Sequence, residues 1–367
     1  MQIVWSGTLT LRTQQTVNTM GNHDIVVIGA SAGGIETLKR LLPQLPTDFA
    51  AAVFIVQHTS PRSPGIVADI LDHTALLPVT MAQNAMPFFN GHVYIAPPDR
   101  HMLIKEGHLH ITMGPRENRA RPAIDPLFRS AAATYGPRVI GIVLTGLLDD
   151  GAAGLLAIRR CNGVTVVQSP NDAVHSQMPE SALACLNVDH CLPIVDMGDL
   201  LIKLTRKPVK AKVPIPDDIR IEVQIAENVM SDIPSEHKLG KLVSLACPEC
   251  SGPLWEIETD AVGRYRCHVG HGFTRRALIA EQSEMIERTL WAALRSFEEK
   301  AKIQTTLARE ERSRERPLSA RLYEQQAEQS HQHAAQLRSL LLDNYDTPAR
   351  IGENPDEAPN SDPASKD

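Results

Sequence analysis

Between Ile25 and Gly34 the chain reads Ile-Val-Val-Ile-Gly-Ala-Ser-Ala-Gly-Gly, and that order leaves few folds open. Four consecutive β-branched residues suit a strand buried on both faces, as in a parallel sheet. The glycines let the chain turn sharply, and Ile35–Leu42 has the composition and spacing of a helix. Ser31 therefore falls at a strand-to-helix corner, inside Gly29-x-Ser31-x-Gly33. Small neighbours let its hydroxyl stand clear of the backbone, and a helix N-terminus offers unpaired N–H groups to a developing anion. A phosphate-binding turn of a dinucleotide fold has the same strand-glycine-helix order. On this segment alone both readings stay open.

The pattern downstream of this corner favours a doubly wound α/β domain with a mostly parallel sheet. Strands are expected at Ile25–Ile28, Ala52–Val56, His92–Ile95, Val139–Leu144 and Val164–Val167, alternating with helices at Ile35–Leu42, Gly65–Leu71, Asp125–Thr134, Ala152–Arg160 and Pro179–Leu186. His101–Met113 alternates apolar and polar residues around Glu106-Gly107, which reads as an antiparallel hairpin in the sheet's edge. Beyond Lys207 several prolines mark a linker with an isolated strand around Ile219–Val223. The expected organisation is a disordered extension (1–22), the α/β domain (23–205), a linker (206–244), a small cysteine-bearing module (245–275), a helical hairpin (281–345) and a disordered acidic tail (346–367). Because the linker is rich in proline, the segment from Asp24 to Ile202 is expected to work independently of the C-terminal half.

A chain of 367 residues accommodates roughly two domains. Its net charge of −6 argues against a general affinity for nucleic acid or anionic membrane. No apolar run approaches the roughly 18 residues that a membrane span requires, so no direct insertion is expected. Six cysteines, two of them in Cys-x-x-Cys, fit a reducing, cytoplasmic compartment with a metal site better than a disulfide framework.

Two further residues share the position of Ser31. His58 follows the strand that ends in Ile55-Val56-Gln57, and Asp149-Asp150 follows Val139–Leu144. In an open parallel sheet the carboxyl ends of the strands collect the active site. A serine is a poor nucleophile until a base takes its proton, and a carboxylate holds the imidazole in the productive tautomer. Spacing leaves Asp149 and Asp150 as alternatives. The chain order Ser…His…Asp departs from the Ser…Asp…His of α/β-hydrolases. The second strand ends in Gln57-His58, without the acidic residue of a dinucleotide fold, which weakens that alternative.

Six segments in order make the chain similar to a known family. They are Gly29-Ala30-Ser31-Ala32-Gly33-Gly34, Val56-Gln57-His58, Tyr94-Ile95-Ala96-Pro97-Pro98-Asp99-Arg100-His101, Arg121-Pro122-Ala123-Ile124-Asp125-Pro126-Leu127-Phe128, Leu144-Thr145-Gly146 through Asp150-Gly151-Ala152, and Met178-Pro179. Over about Asp24–Leu192 the chain resembles the catalytic domain of the CheB family of receptor protein-glutamate methylesterases. The resemblance implies Ser31 as nucleophile, His58 as general base and Asp150 as the residue orienting it. Backbone N–H groups at Ala32 and Leu147 become the oxyanion candidates. Implied too are a methylated chemoreceptor-like protein as partner, a companion glutamine deamidation, and no cofactor in catalysis. Two departures stand out: Ala32 replaces a frequent threonine, and Leu147-Leu148 replaces a frequent Met-Gly. Chemotactic members commonly carry an N-terminal receiver domain, whereas only Met1 to Asp24 precedes the first strand here. The rival expectation is a catalytically weak or inactive adaptor of a sensory complex.

Cys247-x-x-Cys250 and Cys267-His268-x-x-His271 are two knuckles 16 residues apart. That spacing suits a zinc-ribbon-like module with a structural Zn²⁺ on Cys247, Cys250, Cys267 and His271. His268 adjoins Cys267, and neighbouring residues rarely both reach one tetrahedral centre. His73, His92, His101, His108 and His110 read as surface or edge residues, with His101 nearest the cleft. Arg116, Arg119 and Arg121 form a basic cluster that reads first as a solvated loop and otherwise as suited to acidic receptor side chains. Ile286, Leu290, Leu294, Phe297 and Ala301 share one helical face, which suggests a packing seam or a homodimer through the C-terminal helices.

Overall fold

A computed structural model describes residues 21–227, 240–257 and 263–346. The expected extension and tail lie almost wholly outside those residues. A seven-stranded parallel sheet organises the first half of the chain. Its strands are β1 (Ile25–Ala30), β2 (Ala52–Gln57), β3 (Val79–Met81), β4 (Val93–Ile95), β7 (Val139–Val143), β8 (Val164–Gln168) and β9 (His190–Leu192), in the spatial order β3-β4-β2-β1-β7-β8-β9. Side chains alternate across β1: Ile25 and Val27 enter the core on one face, Val26 and Ile28 the core on the other. All four are buried, each worth about 1.5–3 kcal/mol of apolar transfer. Helices α3 (Ile124–Tyr135), α4 (Ala152–Arg160) and α5 (Gln177–Cys185) cover the first face; α1 (Gly34–Leu41), α2 (Val67–Asp72) and α6 (Ile194–Leu204) cover the second.

Two expectations are corrected. The hairpin β5 (His101–Lys105) and β6 (His108–Thr112) forms its own two-stranded sheet instead of joining the main sheet's edge. Helix α3 takes up its free edge: Ile104 N–H donates to Ser130 Oγ (3.0 Å), and Thr134 Oγ1 donates to Ile104 O (3.0 Å). The short strands β3 and β9 carry too few residues to show a period. Ile219–Val223, expected as a strand, lies in a helix, α7 (Asp217–Glu227). Its Ile-Arg-Ile-Glu-Val run mimics period two, but the buried positions are Ile219, Glu222, Ile225 and Ala226, which is helical spacing.

Helix α7 also ties the parallel-sheet domain to the chain that follows it. The cysteine-bearing module is a four-stranded antiparallel sheet of β10 (Gly240–Ala246), β11 (Pro253–Ile257), β12 (Arg264–Cys267) and β13 (Gly272–Thr274), and it belongs to the same compact unit, Met1–Ile279, as the parallel sheet. Glu222 of α7 accepts from both terminal nitrogens of Arg264 (2.7 Å each) and from Arg266 Nη2 (2.9 Å). Arg129 of α3 lies 3.3 Å from the same carboxylate and donates to Glu117, which also meets Arg266 (3.2 Å). Three guanidinium groups and two carboxylates thus interlock in the interior, from three parts of the chain. The arginine charges more than offset the burial cost for Glu117 and Glu222, holding both well below the usual carboxylate range.

The second unit, Ala280–Asp367, contains two long helices: most of α8 (Arg275–Ser313), and α9 (Pro317–Asp346). They run antiparallel. Leu294 packs with Ala334 and Leu341, Phe297 stacks edge-on with His333, and Arg338 pairs with Glu298. The apolar face expected as a packing or dimer seam is therefore largely filled within the chain; Leu294 and Ala301 are buried, while Ile286 remains exposed.

Candidate active site and Cys₃His cluster

Register places the key side chains. Ala30 of β1 pairs with Gln57 of β2, so the next residues, Ser31 and His58, emerge side by side at the strands' carboxyl ends. On the other side of β1, β7 leads into the loop that carries Asp149 and Asp150. Ser31 Oγ lies 3.2 Å from His58 Nδ1, and His58 Nε2 lies 2.8 Å from Asp150 Oδ2. With the ring proton on Nε2 donating to the carboxylate, Nδ1 faces the hydroxyl with its lone pair, ready to accept. Of the two aspartates, Asp150 meets the imidazole. Asp149 turns away and accepts from Thr274 Oγ1 (2.7 Å).

Asp150 is buried, yet its carboxyl is held below the usual range. Burial works the other way and is outweighed by the His58 hydrogen bond and charge, by Ile124 N–H (2.7 Å) and by Asn118 Nδ2 (2.9 Å). The N-terminus of α3 points at this carboxylate, which favours its charge. Its neighbour Asp125 bears the consequence. Buried, and facing the Asp150 charge, Asp125 is pushed up to about 7, while its Oδ1 accepts from Gly151 N–H (3.0 Å) and Gly154 N–H (2.7 Å).

The corner under Ser31 is built by close approach. Gly33 takes φ 75° at the start of α1. A Cβ on Gly146 would stand 2.8 Å from Ser31 Cβ and 2.1 Å from Met178 Sδ, so only glycine fits there. Ser31 N–H donates to Thr145 O (3.0 Å), and Gln57 Nε2 to Ser31 O (2.8 Å), pinning the nucleophile's backbone. Among the described residues neither the Ala32 nor the Leu147 N–H has a protein acceptor. The Leu147-Leu148 departure is absorbed conformationally. Leu148 adopts φ 62°, the left-handed backbone that glycine favours, with its N–H bound to Gln177 Oε1 (3.0 Å).

A cleft of about 460 Å³ opens over these groups, lined by Ser31, His58, Leu147 and the arginine-rich segment Arg116–Arg121. Arg121 is tied to Asp99 (2.8 Å), and Arg116 lies 3.7 Å from Glu249. His101, expected at the surface or an edge, is instead fully buried. Its Nε2 donates to Pro115 O (2.9 Å) and its Nδ1 accepts from Ala123 N–H (3.2 Å). Burial holds this imidazole low, so it stays neutral and braces both ends of the arginine segment. Asn118, Gln57 and Thr274 were not anticipated as parts of the site. Gln57 stands beside His58 in one of the family-like segments and donates to its carbonyl (3.0 Å), whereas nothing near Asn118 or Thr274 in the sequence marks them, since each acts on a residue distant in the chain.

Cys247, Cys250, Cys267 and His271 converge, their donor atoms all within 4.8 Å of one another. Cys250 Sγ is 3.6 Å from Cys267 Sγ, and His271 Nδ1 is 3.5 Å from Cys267 Sγ and 3.7 Å from Cys247 Sγ. These separations far exceed an S–S bond, and they match the edges, about 3.8 Å, of a tetrahedron built on Zn–S bonds of about 2.3 Å. His268 lies outside the cluster, exposed. The donor set fits a metal.

A doubly wound α/β fold with a hydroxyl, an imidazole and a carboxylate in hydrogen-bonded series at its strand ends defines a protein built like a serine hydrolase. A family model described as CheB methylesterase matches residues 26–201. The full length of a Leptospira interrogans protein, provisionally described as a protein-glutamate methylesterase/protein-glutamine glutaminase, aligns at 38% identity with 52% of this chain. The chain belongs to the CheB methylesterase family. A protein-glutamate methylesterase/protein-glutamine glutaminase from Methanosarcina mazei is 37% identical over 50% of this chain and 52% of its own length. The crystal structure of the Thermotoga maritima CheB methylesterase catalytic domain, 32% identical, aligns over 98% of its length and 50% of this chain with a TM-score of 0.48.

Proposed function

We propose that the chain is a serine hydrolase that removes methyl esters from glutamyl side chains of a chemoreceptor-like protein. The observation that carries this reading is the Ser31–His58–Asp150 series, in a chain of this family. Ser31 Oγ attacks the ester carbonyl while His58 Nδ1 takes its proton, and Asp150 stabilises the resulting imidazolium. The oxyanion of the tetrahedral intermediate is received by the Ala32 and Leu147 N–H groups; such donors are commonly worth about 3–4 kcal/mol. Collapse expels methoxide, which takes the proton from His58 and leaves as methanol. Water then attacks the glutamyl–Ser31 ester with His58 again as base, freeing the carboxylate and the serine. A glutamine side chain reaches the same glutamyl–Ser31 ester once its tetrahedral intermediate expels ammonia, with the proton supplied by His58.

Arg116, Arg119 and Arg121 on the cleft rim suit acidic side chains beside the reacting glutamyl group. Cys247, Cys250, Cys267 and His271 would hold Zn²⁺. Four protein ligands close such a site, so its contribution is structural. Among the described residues no helix is long and apolar enough to cross a membrane, and thiol ligands suit the cytoplasm. The test is methanol release from a methylated receptor fragment by the wild type and by Ser31→Ala. Release should stop in the variant, whose smaller side chain fits the same turn. Equal release by both proteins refutes the assignment.

A further inference from the structure

Asn118 is buried between the triad and the cysteine-bearing module. Its backbone N–H donates to Gly272 O (2.9 Å), and its Oδ1 accepts from Thr274 N–H (3.0 Å). Its Nδ2 donates to Asp150 Oδ1 (2.9 Å) and to Asp125 Oδ2 (3.0 Å). An amide oxygen only accepts and an amide NH₂ only donates. The Thr274 N–H therefore selects the one orientation of Asn118 that presents donors to Asp150; turned over, the amide would set an oxygen against two carboxylates.

Strand β13 supplies both Gly272 and Thr274, directly after His271. Gly272 N–H also donates to Arg116 O (3.2 Å), and Glu117 forms an isolated parallel bridge with Gly272, so the cleft segment is held against β13 at that point. Asn118 and Arg119 take φ 49° and 67°. Non-glycine residues keep such backbone only where their surroundings over-determine it. Those surroundings depend on a very small core. It contains Cys247, Leu254, Cys267, Phe273 and Leu278, so two of its members are themselves cluster thiols. Modules this small commonly rely on a metal for part of their stability.

We propose that the Cys₃His module gates the triad. Zn²⁺, or another soft divalent cation, on Cys247, Cys250, Cys267 and His271 keeps β13 in place, and β13 keeps Asn118 on Asp150. Loss of the cation releases Arg116–Arg121 and lowers turnover. Asn118 is thus a positioning residue that acts through Asp150. The gating of turnover rests on the Ser31–His58–Asp150 triad being catalytic.

The experiment uses the full chain, native and after removal of zinc with a chelator. It follows zinc content, hydrolysis of a small methyl ester, labelling of Ser31 by a fluorophosphonate, and hydrogen–deuterium exchange. Chelation should remove about one zinc per chain. It should raise exchange at residues 116–124 and lower kcat by roughly tenfold or more at unchanged KM, the mark of a group that acts on the chemical step. Added Zn²⁺ should reverse all three. Asn118→Ala should reproduce the fall in kcat with zinc retained, and chelation should then cost it less than about twofold more, because coupled perturbations do not add. Cys250→Ser gives metal-free protein by a second route. Unchanged exchange at 116–124 and unchanged Ser31 labelling in metal-free protein overturn the proposal. So does an Asn118→Ala protein that responds to chelation as strongly as the wild type. Exchange that rises on chelation, in a protein whose Ser31 never labels, instead overturns the triad reading and with it the gating.

Discussion

Replacing Glu222 with Gln tests whether the module and the catalytic domain are one structure. Arg129, Arg264 and Arg266 face two carboxylates, Glu117 and Glu222, and all five side chains are at most 8% exposed. Glu222→Gln leaves three guanidinium groups around one carboxylate and turns one of the two oxygens that accept from Arg264 into an NH₂ donor facing it. Asp125 offers little compensation: it stands 4.0 Å from Arg129 and, pushed up to about 7, is protonated over most of the acid range. Breaking a buried ion pair from one side costs about 3–5 kcal/mol. At about 2–4 °C per kcal/mol for a unit of this size, the unfolding midpoint should fall by roughly 6–20 °C. The loss depends on pH with a definite sign. The folded-state pKa of Glu222 lies below the ordinary 4.5, so its stabilisation is fully present above that value and is lost as pH falls through the folded-state value. The gap between wild type and variant should therefore be widest near neutrality and narrow in acid. Thermal and urea unfolding of the full chain at several pH values measures it. Asp217→Asn serves as control, because Asp217 is 87% exposed and should shift stability by no more than about 0.5 kcal/mol. If Glu222→Gln unfolds within about 1 kcal/mol of the wild type at neutral pH, the interlocking is not what holds α7 and the module in place.

Asp150→Asn should lower ester turnover by on the order of 10³–10⁴-fold in steady-state assays, by analogy with other triads, since it removes the charge behind the imidazolium. Asp149→Asn should cost far less, and the reverse order would move the assignment by one residue. Leu148→Gly should raise stability, because it relieves a left-handed residue that costs about 1–2 kcal/mol; chemical denaturation reads the gain, and a loss would show that the Leu148 side chain contributes more than its backbone costs. Truncation after Ile202 removes α7, Thr274 and the arginines of β12, so the fragment should lose small-ester turnover and unfold more readily. A fragment as active and stable as the full chain would restore the independence expected from its proline-rich linker.

Much of the catalytic half was legible in the sequence because its rules are local. The β-branched run at Ile25–Ile28, the glycines at the Ser31 corner and the repeated strand-to-helix order dictate a parallel sheet with side chains gathered at the strand ends. Pairing β1 with β2 then makes Ser31 and His58 neighbours. The Cys-x-x-Cys and Cys-x-x-x-His spacings likewise fix short loops, and their four donors converge. What the sequence did not disclose depends on groups brought together across long separations. Ile219–Val223 alternates like a strand, and only burial of Glu222 among Arg129, Arg264 and Arg266 makes it one face of a helix. Between Asp149 and Asp150, spacing is neutral; the direction of the loop sends one carboxylate to His58 and the other to Thr274. The seam on α8 had the same appearance whether its partner was a second molecule or α9. Asn118 carries no local mark, because its role exists only once β13, 156 residues from it at Thr274, closes on the amide and turns it toward Asp150.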